Sequence, residues 1–130
     1  MAVTPGMKGE ASLTVDQAHT ATALGSGNVP TLGTPALIGL MERAAASVAR
    51  RGLEPGEETV GTMVNVRHLV PTSIGKRVRA EATVSAVDGR KITFEVRAYD
   101  SSGTTIGEGT HERVVVDREQ FIWKAAMRGA

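Results

Sequence analysis

Residues 34–51 read TPALIGLMERAAASVARR. Leu37, Leu40, Met41, Ala44, Ala45 and Val48 recur at helical spacing and form one broad apolar face, while Arg43, Ser47, Arg50 and Arg51 form a polar one. Thr34 followed by Pro35 is a start signal, a hydroxyl to cap the free amides and then a proline at the first helical position. Gly52 is predicted to close the helix, with Arg50 and Arg51 in its last turn complementing the dipole. Glu42 breaks this division. Its neighbours three and four residues away are Ile38, Gly39, Ala45 and Ala46, all apolar or small. A carboxylate there rides at the edge of the buried face, with Gly39 opening room beside it. Such a group curls out to water, pairs with a structural arginine, or does chemistry.

Outward from the helix, strands dominate. Thr59–Val70 (TVGTMVNVRHLV) alternates, with Val60, Thr62, Val64, Val66, His68 and Val70 on one face and Gly61, Met63, Asn65, Arg67 and Leu69 on the other. The valine face is predicted to pack on the helix, which puts His68 on the core side near the strand's end. Gly61 weakens a strand and marks a bulge or a close approach. Pro71 breaks the run. Gly75–Val87 is the next strand, with Val78, Ala80, Ala82, Val84 and Ala86 inward. Asp88-Gly89 signals a two-residue hairpin turn. Lys91–Tyr99 returns with Ile92, Phe94, Val96 and Ala98 inward. After a tight turn at Asp100–Gly103, Thr104–Val116 is the last strand, with His111 and Arg113 on one face and Glu112 opposite. Asp117–Met127 reads as a short terminal helix or extension whose Phe121 and Trp123 cover an edge of the sheet.

Before the helix the signals are weaker. Met1–Glu10 is polar and expected to fray. Ala11–Ala21 suits a short strand, with His19 at an edge or in solvent. Leu24–Gly33 (LGSGNVPTLG) is a loop, either a lid over a site or a plain connection.

Composition bounds the functions. A chain of 130 residues suits a single domain, residues 1–130, with one core. Aromatics are 3%, so valine, alanine, leucine, isoleucine and methionine must build that core. A net charge of +1 argues against nucleic acid or a membrane surface as partner. The absence of cysteine removes disulfides and thiol chemistry. No apolar run reaches the ~18 residues of a membrane span, so a cytoplasmic location is expected. One early helix before four long antiparallel strands predicts an α+β layer, and its open sheet edge invites dimerisation.

This order of elements resembles the hot-dog fold, a long helix wrapped by an antiparallel sheet. Within it, GTPALIGLMERAA, EPGEETVGTMVNVRHLVPTSIGKRVRAEATV and GEGTHERVVVD resemble the fluoroacetyl-CoA thioesterase family. The resemblance implies a homodimer that hydrolyses an acyl-CoA thioester with no metal and no cofactor beyond the coenzyme A of its substrate; pairing of dimers into a tetramer stays open. It implies Thr34, Glu42 and His68 as catalytic residues and Gly61 and Arg113 as substrate-binding ones. Glu42 would then act as nucleophile or as general base toward water, and His68 would relay protons. The fluoroacetyl-CoA enzyme of that family carries phenylalanines in the loop before the helix, which form a lid selecting the fluorinated substrate. Here that loop has no aromatic, so a broader short-chain acyl range is expected. A non-catalytic acyl-CoA binding module and a hot-dog dehydratase are the alternatives.

Overall fold

The computed structural model describes residues 1–129. Its elements are β1 (Lys8–Thr14), a 3-10 turn (Gln17–His19), α1 (Ala21–Leu24), α2 (Thr34–Arg50), β2 (Glu57–His68), β3 (Arg77–Asp88), β4 (Lys91–Asp100), β5 (Thr105–Asp117) and α3 (Arg118–Met127). The strands form one antiparallel sheet in the order β1-β3-β4-β5-β2. The sheet wraps α2 as the hot-dog pattern predicts. Leu37, Leu40, Met41, Ala44, Ala45, Val48 and Ala49 are buried against Val78, Ala80, Ala82, Val84, Ile92, Phe94, Val96 and Ala98. Each fully buried leucine, valine or phenylalanine contributes roughly 1.5–3 kcal/mol. The alanines on both layers let helix and sheet approach closely.

The N-terminal segment differs from its expected disorder. Val3 is buried, Ala2 donates to the Gly52 carbonyl, and the backbone of Gly6 and Met7 pairs with Val84. Gly52 is needed for this contact, because a Cβ there would meet the Ala2 backbone at 2.7 Å. It therefore serves close packing, and Arg51 is the helix C-cap. The first strand lies at Lys8–Thr14 rather than Ala11–Ala21. It is a polar edge strand whose pairing is decided by the free edge of β3 and not by its own alternation. The rest of the expected strand is a 3-10 turn capped by Asp16, with half-buried His19 accepting from the Asp16 amide.

Two bulges overturn simple parity. In β2 the register slips between Gly61 and Met63, leaving Thr62 as an extra residue. Gly61 pairs with Arg113 and Val64 with His111, and both partners face α2. Gly61 and Val64 therefore share the concave face although an odd number of positions separates them. Val60 and Thr62, expected inward, face out, while Thr59 is buried. In β3 a slip between Val84 and Ala86 exposes Ala86, expected inward, and turns Val87 toward the core. The hairpin register Asp88↔Lys91 centres its turn on Gly89-Arg90. Gly89 has φ +61° at the first central position, as in a II′ turn.

Phe121 and Trp123 do not cover a sheet edge; they are exposed on α3 at 44% and 61%. β2, twelve residues long, is an edge strand with its outer side unpaired within the chain. Among the described residues no helix is long and apolar enough to cross a membrane.

Candidate active site

The predicted site residues fall into two groups. The first is at the start of α2. Gly33, with extended backbone, is the N-cap, and its carbonyl accepts from the amides of Ala36 and Leu37. Thr34 is the first helical residue and makes no capping bond, contrary to the expected start signal. Its hydroxyl is 2.9 Å from His68 Nδ1. His68 is the last residue of β2, where Leu69 and Val70 turn their amides to the Ile106 carbonyl and Pro71 ends the strand. Its Nε2 is buried and, among the described residues, makes no close hydrogen bond, the Val70 backbone being only a weak influence on the ring. Burial holds the His68 ring below its ordinary pKa of 6.5, so it is neutral at physiological pH.

The second group surrounds Glu42. Its carboxylate lies 3.4 Å from Arg113 Nη1, and its side chain is 41% exposed. The Arg113 side chain is only 10% exposed and is held on every side. Its Nε donates to Thr59 Oγ1 at 2.9 Å and its Nη2 to the Thr59 carbonyl at 2.9 Å. Its Nη1 also meets His111 Nε2 at 3.2 Å. Burial and the flanking Glu42 and Glu58 pull the guanidinium pKa in opposite directions, and burial prevails, lowering it. Gly61 completes this group. A Cβ on it would lie 2.6 Å from Glu42 Oε2, 3.2 Å from His111 Cε1 and 3.4 Å from Arg113 Nη1. Its lack of a side chain is what seats the carboxylate against β2.

Within one chain the two groups stay apart. Eight residues of helix separate Thr34 from Glu42, about 12 Å of rise, and no side-chain contact links Glu42 to His68 among the described residues. A groove of about 540 Å³ opens beside Glu42, lined by Gly39, Arg43, Ala46, Arg50 and Arg113. A second hollow, of about 360 Å³, lies around Asn65, Arg67, Glu95 and Glu108 and contains no predicted site residue. The loop of residues 24–33 is pinned at its C-terminal end by the bridges Thr20↔Leu32 and Thr31↔Ser73, and Leu32 is buried.

Two members of the Glu42 group were not foreseen as site residues, Thr59 and His111. Parity had put His111 on the face of Arg113. What reveals its part is the Thr62 bulge, which brings the Met63 carbonyl within 2.7 Å of its Nδ1.

A family model described as fluoroacetyl-CoA-specific thioesterase, FlK, matches residues 15–119. The fluoroacetyl-CoA thioesterase of Streptantibioticus cattleyicolor is 40% identical over 92 residues, a stretch spanning 71% of this chain and 66% of that protein. The solved structure of an FlK variant in complex with acetyl-CoA superposes with a TM-score of 0.91 at 29% identity, covering 98% of this chain and 99% of that one. A hot-dog-like protein from Thermanaerovibrio acidaminovorans superposes with a TM-score of 0.82 at 26% identity, covering 97% and 94%. With the family model spanning most of its length, and an FlK structure superposing over nearly the whole chain, this chain belongs to the FlK family of fluoroacetyl-CoA-specific thioesterases.

Proposed function

We propose that this chain hydrolyses short-chain acyl-CoA thioesters to free acid and CoA, at a site assembled from two copies in a cytoplasmic homodimer. The observation that carries the reading is the pair Thr34–His68, a neutral imidazole fixed through Nδ1 at 2.9 Å with its buried Nε2 left unpartnered. A buried polar atom without a partner is costly unless a ligand or water completes it. Glu42 is the other half of the chemistry.

The two halves meet across the open edge of β2. Two copies paired antiparallel along β2 run in opposite directions. The His68 end of one strand then lies toward the Gly61 end of the other, beneath the second copy's Glu42. In this arrangement Glu42 takes a proton from water as the oxygen adds to the thioester carbonyl. Backbone amides at the Gly61–Met63 bulge receive the developing oxyanion, since the Ala36 and Leu37 amides of the helix start are already occupied. The C–S bond breaks as the carbonyl re-forms, and the proton returns through His68 to the departing thiolate. Arg113 and Gly61 hold the carboxylate and leave space for the acyl group. The loop LGSGNVPTLG offers no aromatic to read fluorine, so acetyl-CoA and fluoroacetyl-CoA are both substrates.

Thiol release from acetyl-CoA and fluoroacetyl-CoA, monitored with a chromogenic disulfide, tests this. Glu42→Gln and His68→Ala should each lower kcat ~10²–10⁴-fold, the usual contribution of an acid–base group. Mixing the two inactive variants should restore about a quarter of the activity, because half the dimers become mixed and one of their two sites is intact. No recovery means each site is built within one chain. Full activity in either single variant ends the proposed chemistry, and CoA binding without thiol release in the unaltered protein leaves a binding module.

A further inference from the structure

His111 is 1% exposed and sits between two partners of fixed polarity. The Met63 carbonyl, 2.7 Å from Nδ1, can only accept, so Nδ1 carries the proton. Arg113 Nη1, 3.2 Å from Nε2, can only donate, so Nε2 must present its lone pair. One tautomer of the neutral ring satisfies both. Phe94 stacks on the ring at 6.1 Å between centroids, which holds its plane. The same Nη1 also points at Glu42, yet at 3.4 Å, longer than any other contact of this guanidinium. Charge-assisted bonds between arginine and carboxylate normally close to about 2.7–2.9 Å. Here Arg113 is drawn the other way by Thr59 through two bonds and by His111 through one.

We propose that His111 is a positioning residue that, together with Thr59, holds the Arg113 guanidinium back from a tight ion pair with Glu42, so that the carboxylate is oriented yet remains free to take a proton. The inference rests on the reading of Glu42 as the reacting carboxylate. A carboxylate captured by a close guanidinium is a poor base, whereas one with no cation nearby loses its orientation. Gly61 fits this scheme, since a side chain there would meet Glu42, His111 and Arg113 together.

His111→Phe keeps the ring's bulk and its stacking but removes the lone pair. The released guanidinium should close on Glu42. A crystal structure of the variant should then show the Arg113–Glu42 contact shortened from 3.4 Å toward the ~2.8 Å of a close ion pair. In the acetyl-CoA assay kcat should fall roughly 10-fold to 100-fold with KM little changed, as for a misplaced reacting group. His111→Gln, whose amide oxygen again accepts from Arg113, should restore most of both. Should His111→Phe fail to fold, Thr59→Val removes the Nε partner isosterically and should shorten the same contact. An Arg113–Glu42 contact that stays put or lengthens in the folded variants, or a His111→Gln no better than His111→Phe, overturns the proposal. Full activity in Glu42→Gln instead removes the parent reading, while an inactive Glu42→Gln beside unaltered His111 and Thr59 variants removes only this inference.

Discussion

Gly61 has a carboxylate where a methyl group would go. The contact at 2.6 Å is with the tip of a flexible glutamate, which can swing aside, while His111 Cε1 at 3.2 Å must also give slightly to admit a Cβ. Gly61→Ala should therefore fold with stability within about 1 kcal/mol of the parent, while kcat drops at least roughly 10-fold because the carboxylate has moved. A thermal melt beside an acyl-CoA assay separates the two effects; a large loss of stability with normal turnover refutes this account of the glycine. Thr34, Glu42, His68, Gly61 and Arg113 were each visible in the sequence, by composition at a helix edge, by strand parity or by family likeness. The bond from the Thr34 hydroxyl to His68 was not visible, because a threonine before a proline reads equally well as a cap. His111 was seen on the right face but not as a partner of Arg113, since strand parity gives a direction and no distance.

At the level of elements, α2 and the β3–β4 hairpin were legible because their apolar periods are long and their core faces are almost purely aliphatic. Leu37 shows how tightly they close. It is fully buried, and its Cδ2 lies 2.8 Å from where a Gly107 Cβ would sit. Leu37→Ala should cost about 2–5 kcal/mol, the range for deleting buried methyl groups beside a rigid wall. Urea denaturation at unchanged m reads this directly, and a loss below about 1 kcal/mol means the site collapses around the smaller residue. β1 and the β2 register were less legible. The polar stretch KGEASLT carries little apolar signal, and its strand exists because β3 needs an edge partner. The bulges at Thr62 and Ser85 insert a residue without any mark in composition, so a pattern counted by twos loses its phase.

For the molecule as a whole, buried His111 and half-buried His68 tie stability to pH. Burial lowers both His68 and His111 below 6.5, in each case as the largest cause. The unfolded chain therefore takes up protons near 6.5 before the folded chain does. The stability these groups contribute is fully present above pH 6.5 and is lost as pH falls through the lowered folded values. The melting temperature should decline from pH 6.5 downward, ahead of the carboxylate range, and the decline should shrink in His111→Gln. A melting temperature flat between about pH 7 and 5 contradicts the burial of these rings as neutral species. The open edge of β2 is the other whole-molecule feature, and a chain of this size with so long an unpaired edge has a strong reason to pair with itself.

The slip at Thr62 also sets an arithmetic for the chain's own history. Gly61 and His68 stand an odd number of positions apart, yet both look toward the helix, and an uninterrupted ribbon would send them to opposite surfaces. The supernumerary residue is thus the condition for an odd interval. A relative one residue shorter between this glycine and this histidine needs no slip at all, and its ladder there should run without interruption. Counting that interval in any cousin therefore tells whether its strand is kinked, before a single coordinate is known.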